Sequence, residues 1–304
     1  MSERLSRWWN SDLAWSWRHT PMASISTIIL LFMLVGSLGA HWVAPHNPFD
    51  LASVNLLDAL KPPAWMEGGE WAYPLGTDSQ GRDLYSGLLY GTRISLLIGI
   101  ASVILAMFVG IFLGLLAGYV GGRLDAFIMR VADVQLSFPA ILIALLVDGV
   151  ARAAMPRELH DVLAFPVLVF AIALAGWPQY ARTVRGSTMV EKNREYVQAA
   201  RVIGVSTPVI MFRHVLPNVM GPVLVLATVH LATAIITEAT LSFLGVGVPS
   251  TSPSLGTLIR IGNDFLFSGE WWITIFPGVM LVLLVLSVNL LGDWLRDALN
   301  PRLN

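Results

Sequence analysis

The chain has no cysteine. That removes disulfides and Cys-ligated metal from consideration, and it identifies no compartment. Lysine is nearly absent as well: Lys61 follows Leu60 and Lys192 follows Glu191. A P-loop needs Gly-Lys-[Ser/Thr] to hold phosphate, and neither lysine stands in that setting. His-Glu-x-x-His and Gly-x-Ser-x-Gly are missing too, which argues against a membrane-embedded zinc or serine hydrolase. Charge is scarce: 13% of the 304 residues carry it, against about a quarter in a soluble domain. A net charge of -1 implies no nucleic-acid partner.

What the chain has is apolar length. Hydrophobic residues make up 55%, and the mean hydropathy is +0.67. Uncharged runs at Met22 to Ala44, Ile94 to Val120, Val162 to Ala181, Val215 to Thr237 and Trp271 to Gly292 each suffice to cross a hydrocarbon core of ~30 Å as a helix. A sixth candidate, Phe127 to Val147, carries Arg130 and Asp133 near its start. It is counted because charges near a helix end reach the interface. The expected fold is an all-α membrane protein of about six spans. Segments 24–45, 46–92 and 93–296 then read as a first span, a periplasmic segment and a core of five further spans. Residues 1–23 form an N-terminal arm and 297–304 a cytoplasmic tail.

With six spans and both termini inside, 13 of the 19 Lys and Arg fall inside and 6 outside, the sense of the positive-inside rule. No small-residue cleavage site precedes Pro45, so the first span reads as a retained anchor. Trp8, Trp9, Trp15 and Trp17 place the arm at the interface or leave it a loose tail.

Three features interrupt the spans. Tyr73-Pro-Leu-Gly-Thr-Asp-Ser-Gln-Gly-Arg-Asp83 has turn chemistry throughout, and Asp78, Arg82 and Asp83 are placed to pair across it. Gly110, Gly114 and Gly118 put a flat groove on one helix face, for static packing or for a pivot. Gly245, Gly247 and Pro249 end the fifth span. Pro139, Pro166, Pro178, Pro222 and Pro277 also fall in apolar runs, tolerated where neighbours re-satisfy the backbone.

The most distinctive stretch is the inside loop 182–218. Tyr196, Val197, Ala200 and Ile203 recur at helical spacing and predict one apolar face. Gly204 is placed to stop that helix. Thr207-Pro208 restarts it, with Thr207 as cap. A slim helix, a sharp turn and a second helix suit insertion into a partner's groove better than repose on a bilayer.

Gln198-Ala-Ala-x3-Gly204-x9-His214-x-Leu216-Pro217 resembles the "EAA" coupling loop of ATP-binding-cassette importer permeases, with Gln198 where the family usually has Glu. Three further stretches resemble the C-type permease subunits of dipeptide and oligopeptide importers. They are Leu75-Gly-Thr-Asp-x-x-Gly-Arg-Asp83, Glu238-Ala-x-Leu-Ser-Phe-Leu-Gly-x-Gly247 and Leu291-Gly-Asp-Trp-Leu-Arg-Asp-Ala-Leu-Asn-Pro301. Leu255-Gly256 stands where the family often has Trp-Gly.

The resemblance implies the type I importer permease fold in a bacterial inner membrane. It implies a second, B-type permease, two ATPase subunits that bind ATP and Mg, and a periplasmic or lipoprotein solute-binding protein. No cofactor is expected in this chain. The coupling residues it implies are Glu195, Gln198, Ala199, Ala200, Arg201, Gly204, Arg213, His214, Leu216 and Pro217. Arg201 and Arg213 would meet acids of the ATPase or remain solvated. Nickel complexes, glutathione or antimicrobial peptides are alternative cargoes of the same branch. A secondary transporter or channel is the more distant alternative.

Polar residues within spans are the remaining candidates. Glu238 either faces the substrate path or sets helix packing, and Asn289 joins it as a pathway candidate. His230 reads as an interhelical hydrogen-bonder. Asp133, one turn beyond Arg130, is expected to pair with it.

Overall fold

The computed structural model describes residues 12–48 and 55–298. Trp8, Trp9 and the tail beyond residue 298 lie outside the described residues. Apart from one isolated bridge, the described chain is helical.

Helix α1 (Asp12–His19) leads through Thr20 into α2 (Pro21–Leu38). Trp17 Nε1 donates to Thr27 Oγ1 at 2.9 Å, tying the arm to this first span. A short helical turn (Ala40–Val43) follows, and beyond the described residues 55–83 comes α3 (Leu84–Val120), which is 37 residues long. At ~1.5 Å per residue it outreaches the hydrocarbon core, and it begins ten residues before the expected start at Ile94. Gly121 and Gly122, both at positive φ, turn the chain into α4 (Gly122–Leu136). Next come α5 (Ala140–Ala154) and α6 (His160–Glu191).

The expected sixth span is where the structure departs most. α4 and α5 meet at an angle of 94°. Pro139 disfavours the helical region for Phe138 and offers no N–H, so the run breaks at Ser137–Pro139. Among the described residues five helices are long and apolar enough to cross a membrane, and the bent pair makes a sixth only if it counts as one. Asp133 pairs with Arg182 of α6 at 2.7 Å, not with Arg130. The tertiary partner holds it against the next long helix.

α7 (Glu195–Val202) lies in the loop 182–218. A helical turn at Thr207–Val209 and a π-helical stretch at Ile210–Val215 run on into α8 (Leu216–Phe243). The chain closes with α9 (Leu255–Asn263) and α10 (Trp272–Ala298). Pro166 and Pro178 stay inside α6, Pro222 inside α8 and Pro277 inside α10.

The most extensive packing is α3 against α6. A Cβ on Gly110 would sit 2.3 Å from Tyr180 Cβ, and on Gly114 2.5 Å from the Ala181 carbonyl. On Gly118 it would sit 2.7 Å from Thr188 Cβ. The glycine groove is therefore filled by α6, as static packing requires.

Candidate functional site

The loop is built outward from the α3–α6 pair. Lys192, just past α6, donates from Nζ to the Gly118 carbonyl at 2.7 Å, placing a cation on the unpaired C-terminal end of α3. α7 then starts with Glu195 in its first turn, favoured by the helix dipole.

One turn apart, Val197 and Ala200 are buried, in the cluster that holds Ile210, Met211, Val215 and Leu115. Gly204 has φ +82°. The Val205 N–H bonds the Ala200 carbonyl (3.0 Å) and the Gly204 N–H bonds the Arg201 carbonyl (3.1 Å). This paired closure is the Schellman motif. A left-handed residue is needed there, and glycine adopts that conformation without strain.

The expected single apolar face is in fact split. Val197 and Ala200 point inward, while Ile203 is 77% exposed and Val202 87% exposed. Ala199 is exposed and Ala200 buried, so only Ala199 is open to another molecule. Glu195, Gln198, Arg201 and Gly204 are also exposed. Two apolar side chains thus stand at a rigid glycine corner, ringed by polar groups.

Arg201 is engaged within the chain. Its guanidinium lies over the Tyr119 ring at 5.2 Å and its Nε donates to Tyr119 Oη at 3.3 Å, a cation–π arrangement. Arg213 is exposed and makes no ion pair among the described residues. The cap of the second helical turn is Ser206, one residue before the expected Thr207. His214 and Leu216 are half-buried and Pro217 exposed. Pro217 cannot bond the carbonyl four residues back and its ring crowds it. The π-helical widening just before it relieves that conflict.

A tyrosine clamp escaped the sequence reading. Tyr196 Oη donates to Glu191 Oε2 at 2.8 Å and accepts from Asn218 Nδ2 at 3.1 Å. Asn218 also donates to the His214 carbonyl at 2.7 Å. Burial first, then the Glu191 carboxylate, pushes the Tyr196 phenol up. The clamp ties the end of α6, the start of α7 and the start of α8 into one unit. Its only sequence signal was a tyrosine with polar neighbours, read as part of an apolar stripe.

Glu238 is fully buried. Ser95 Oγ of α3 donates to its Oε2 and Ser242 Oγ to its Oε1, both at 2.7 Å. Ser95 Oγ also accepts from the Leu255 N–H at 3.3 Å. This network joins α3, α8 and the start of α9, the surroundings expected of a packing residue. Asn289 is half-buried on α10. His230 Nδ1 meets Tyr180 Oη at 3.0 Å, an interhelical contact.

The turn 73–83 forms a latch. Asp78 Oδ1 accepts from the Gln80 and Arg82 N–H groups at 2.8 and 3.0 Å. Arg82 reaches Asp78 only at 4.0 Å and donates from Nη1 to the Ser250 carbonyl at 2.8 Å. Asp83 caps α3, accepting from the Ser86 N–H at 2.9 Å. Trp272 Nε1 donates to the Thr77 carbonyl at 3.2 Å. The three charges do not form one cluster. They tie the turn separately to the 250 region and to α3, while Thr77 receives α10.

This bundle of long apolar helices, with a structured loop between two of them, shares the fold of type I importer permeases. Inward-facing structures of the MetNI methionine ABC transporter superpose with a TM-score of 0.55 at 19% identity, covering 70% of this chain and 96% of that one. A second crystal form gives 0.54 at 21% identity. The family described as "Binding-protein-dependent transport system inner membrane component" matches residues 110–304, and the chain belongs to it. Within it, the chain groups with the C-type peptide permeases. It is 39% identical to the Di/tripeptide transport system permease protein DppC of Pseudomonas aeruginosa, over 95% of this chain and 90% of that protein. The Dipeptide transport system permease protein DppC of Escherichia coli K12 is also 39% identical, over 92% and 89%. The Oligopeptide transport system permease protein OppC of Bacillus subtilis is 35% identical, over 98% and 91%.

Proposed function

We propose that the chain is a transmembrane subunit of an ATP-driven importer of dipeptides and oligopeptides in a bacterial inner membrane. It pairs with a B-type permease, and a solute-binding protein delivers the peptide. Two separate ATPase subunits bind ATP and Mg and dock on the loop 195–218. Names of the similar proteins support the peptide cargo. The observation that carries the coupling role is the exposed Val202–Ile203–Gly204 corner, held from behind by Val197, Ala200 and the tyrosine clamp. A surface that transmits force needs that combination: apolar contact outside and a backing that does not yield. Closure of the ATPase pair would draw the loops together and shift the permeases between two packings.

The test is purification of the tagged chain from native membranes in mild detergent. A second permease and P-loop ATPases are expected to come with it, and the membranes are expected to show ATP-dependent dipeptide uptake. A chain that purifies alone from membranes without such uptake would remove the reading.

A further inference from the structure

The outer ends of α3 and α6 and the 248–252 loop border an open cleft of about 570 Å³, within the size range of small-ligand sites, with Arg93 and Asp161 exposed along it. Its walls are mostly apolar, with Tyr90 and Phe165 facing it. Two charges of opposite sign also line it, Arg93 from α3 and Asp161 from the first turn of α6. They form no ion pair with each other, and neither has another partner among the described residues. Opposite charges that share a cavity without pairing leave room for a ligand that carries both signs.

The position of the cavity is also informative. On α6, Phe165 is followed at intervals of 7, 11 and 14 residues by Ile172, Gly176 and Gln179. Those spacings keep one face of a helix. The same three residues line a second cavity of about 180 Å³, against His230, Thr233 and Thr237 of α8. At ~1.5 Å per residue, that second cavity lies roughly 10–20 Å deeper along α6. The outer cleft therefore sits above a second cavity on the same helix face, to which Gln179, His230, Thr233 and Thr237 contribute polar groups.

One wall is held in place by the outer latch. Arg82, nearly buried, donates to the Ser250 carbonyl, in the middle of the loop that supplies Val248, Thr251 and Ser252 to the cavity. The turn 75–83 thereby acquires a role in shaping the cavity from a distance.

We propose that this outer cleft is an entry subsite for a short peptide in its zwitterionic form. Arg93 takes the terminal carboxylate, Asp161 takes the terminal ammonium, and the apolar walls take the side chains. The proposal rests on the peptide-importer reading. An ethanolamine phospholipid headgroup presents the same pair of charges, so the test separates the two sources.

The assembled transporter is used throughout, with labelled alanyl-alanine as probe. Absence of uptake by the wild type would remove the importer reading itself. Given uptake, Arg93→Gln and Asp161→Asn are each expected to lower it at least tenfold at low peptide concentration, with abundance and subunit association unchanged. The exchange Arg93→Asp with Asp161→Arg is expected to restore part of it. Wild-type uptake by both single variants would overturn the subsite. Should either variant fail to assemble, the cysteine-free background supplies a second measurement. Thr251→Cys, on the cavity wall, is labelled with a water-soluble maleimide in proteoliposomes. Alanyl-alanine at millimolar concentration is expected to slow that labelling several-fold in phosphatidylglycerol vesicles. No protection, or protection that follows phosphatidylethanolamine content and ignores peptide, overturns the proposal.

Discussion

At the scale of single residues, burial decides what a polar group is for. Glu238 accepts from two buried serine hydroxyls. Removing the carboxylate leaves buried donors unsatisfied, at about 1–3 kcal/mol. Glu238→Ala is therefore expected to lower the unfolding temperature in detergent and the amount of assembled protein. Glu238→Gln, which keeps an acceptor, should lie between it and the wild type. Wild-type abundance of Glu238→Ala with uptake lost would point back to a role on the substrate path. Gly204 offers a contrasting case. A Cβ there meets nothing within 4 Å, but φ is +82°. Aspartate tolerates that conformation better than most residues, so Gly204→Asp should fold and insert. Its bulk and charge then stand on the proposed docking corner. ATPase association or coupled uptake is expected to be lost, and normal uptake would sink the coupling role.

At the scale of elements, the α3–α6 contact leaves no room for added side-chain volume. Gly110→Ala puts a methyl group 2.3 Å from Tyr180 Cβ, and overpacking of this kind costs about 1–3 kcal/mol. Gly186→Ala, on α6 but facing open space, should be neutral, so thermal unfolding of the pair separates packing from helix propensity. The outer loop is held differently. Lys61 Nζ lies 2.6 Å from Asp58 and 2.7 Å from Glu70. Its ammonium, ahead of the Tyr73 hydroxyl, holds the Asp58 carboxyl below the usual range. A lowered acid contributes stability above its unfolded pKa and loses it as pH falls through the folded value. Protection of the amides across residues 55–77, taken relative to their intrinsic exchange rates, is thus expected to fall in acid below the ordinary aspartate range. Unchanged protection there would remove the ion pair from the account.

For the whole molecule, the open structural matter is the bent pair α4–α5. Its 94° angle allows a broken span or a re-entrant segment. The charge count of 13 against 6 assumed a crossing. In the cysteine-free chain, Glu67→Cys, Glu158→Cys and Ser206→Cys, all at exposed positions, report the sidedness directly. An impermeant thiol reagent applied outside whole cells should label Glu67→Cys and Glu158→Cys, and leave Ser206→Cys untouched. Protection of Glu158→Cys would make the pair re-entrant and put the two ends of the chain on opposite faces.

The sequence by itself determined what depends on local chemistry. Apolar length marked the five long helices, since a span needs a continuous run of residues without charge. Glycine at 204 and 245 marked two helix ends, both found at positive φ, because left-handed closure is a property of one residue. The loop 195–218 was legible as a structured element for the same reason. Only the tertiary structure decided which neighbours met across the chain. Asp133 chose Arg182 over Arg130, the Tyr196 hydroxyl became a clamp, and Arg201 settled on Tyr119. Asp133 and Arg182, Tyr196 and Asn218, and Arg201 and Tyr119 stand 49, 22 and 82 positions apart. Helical periodicity says which face a side chain occupies, and it carries no information about what the opposing helix presents there.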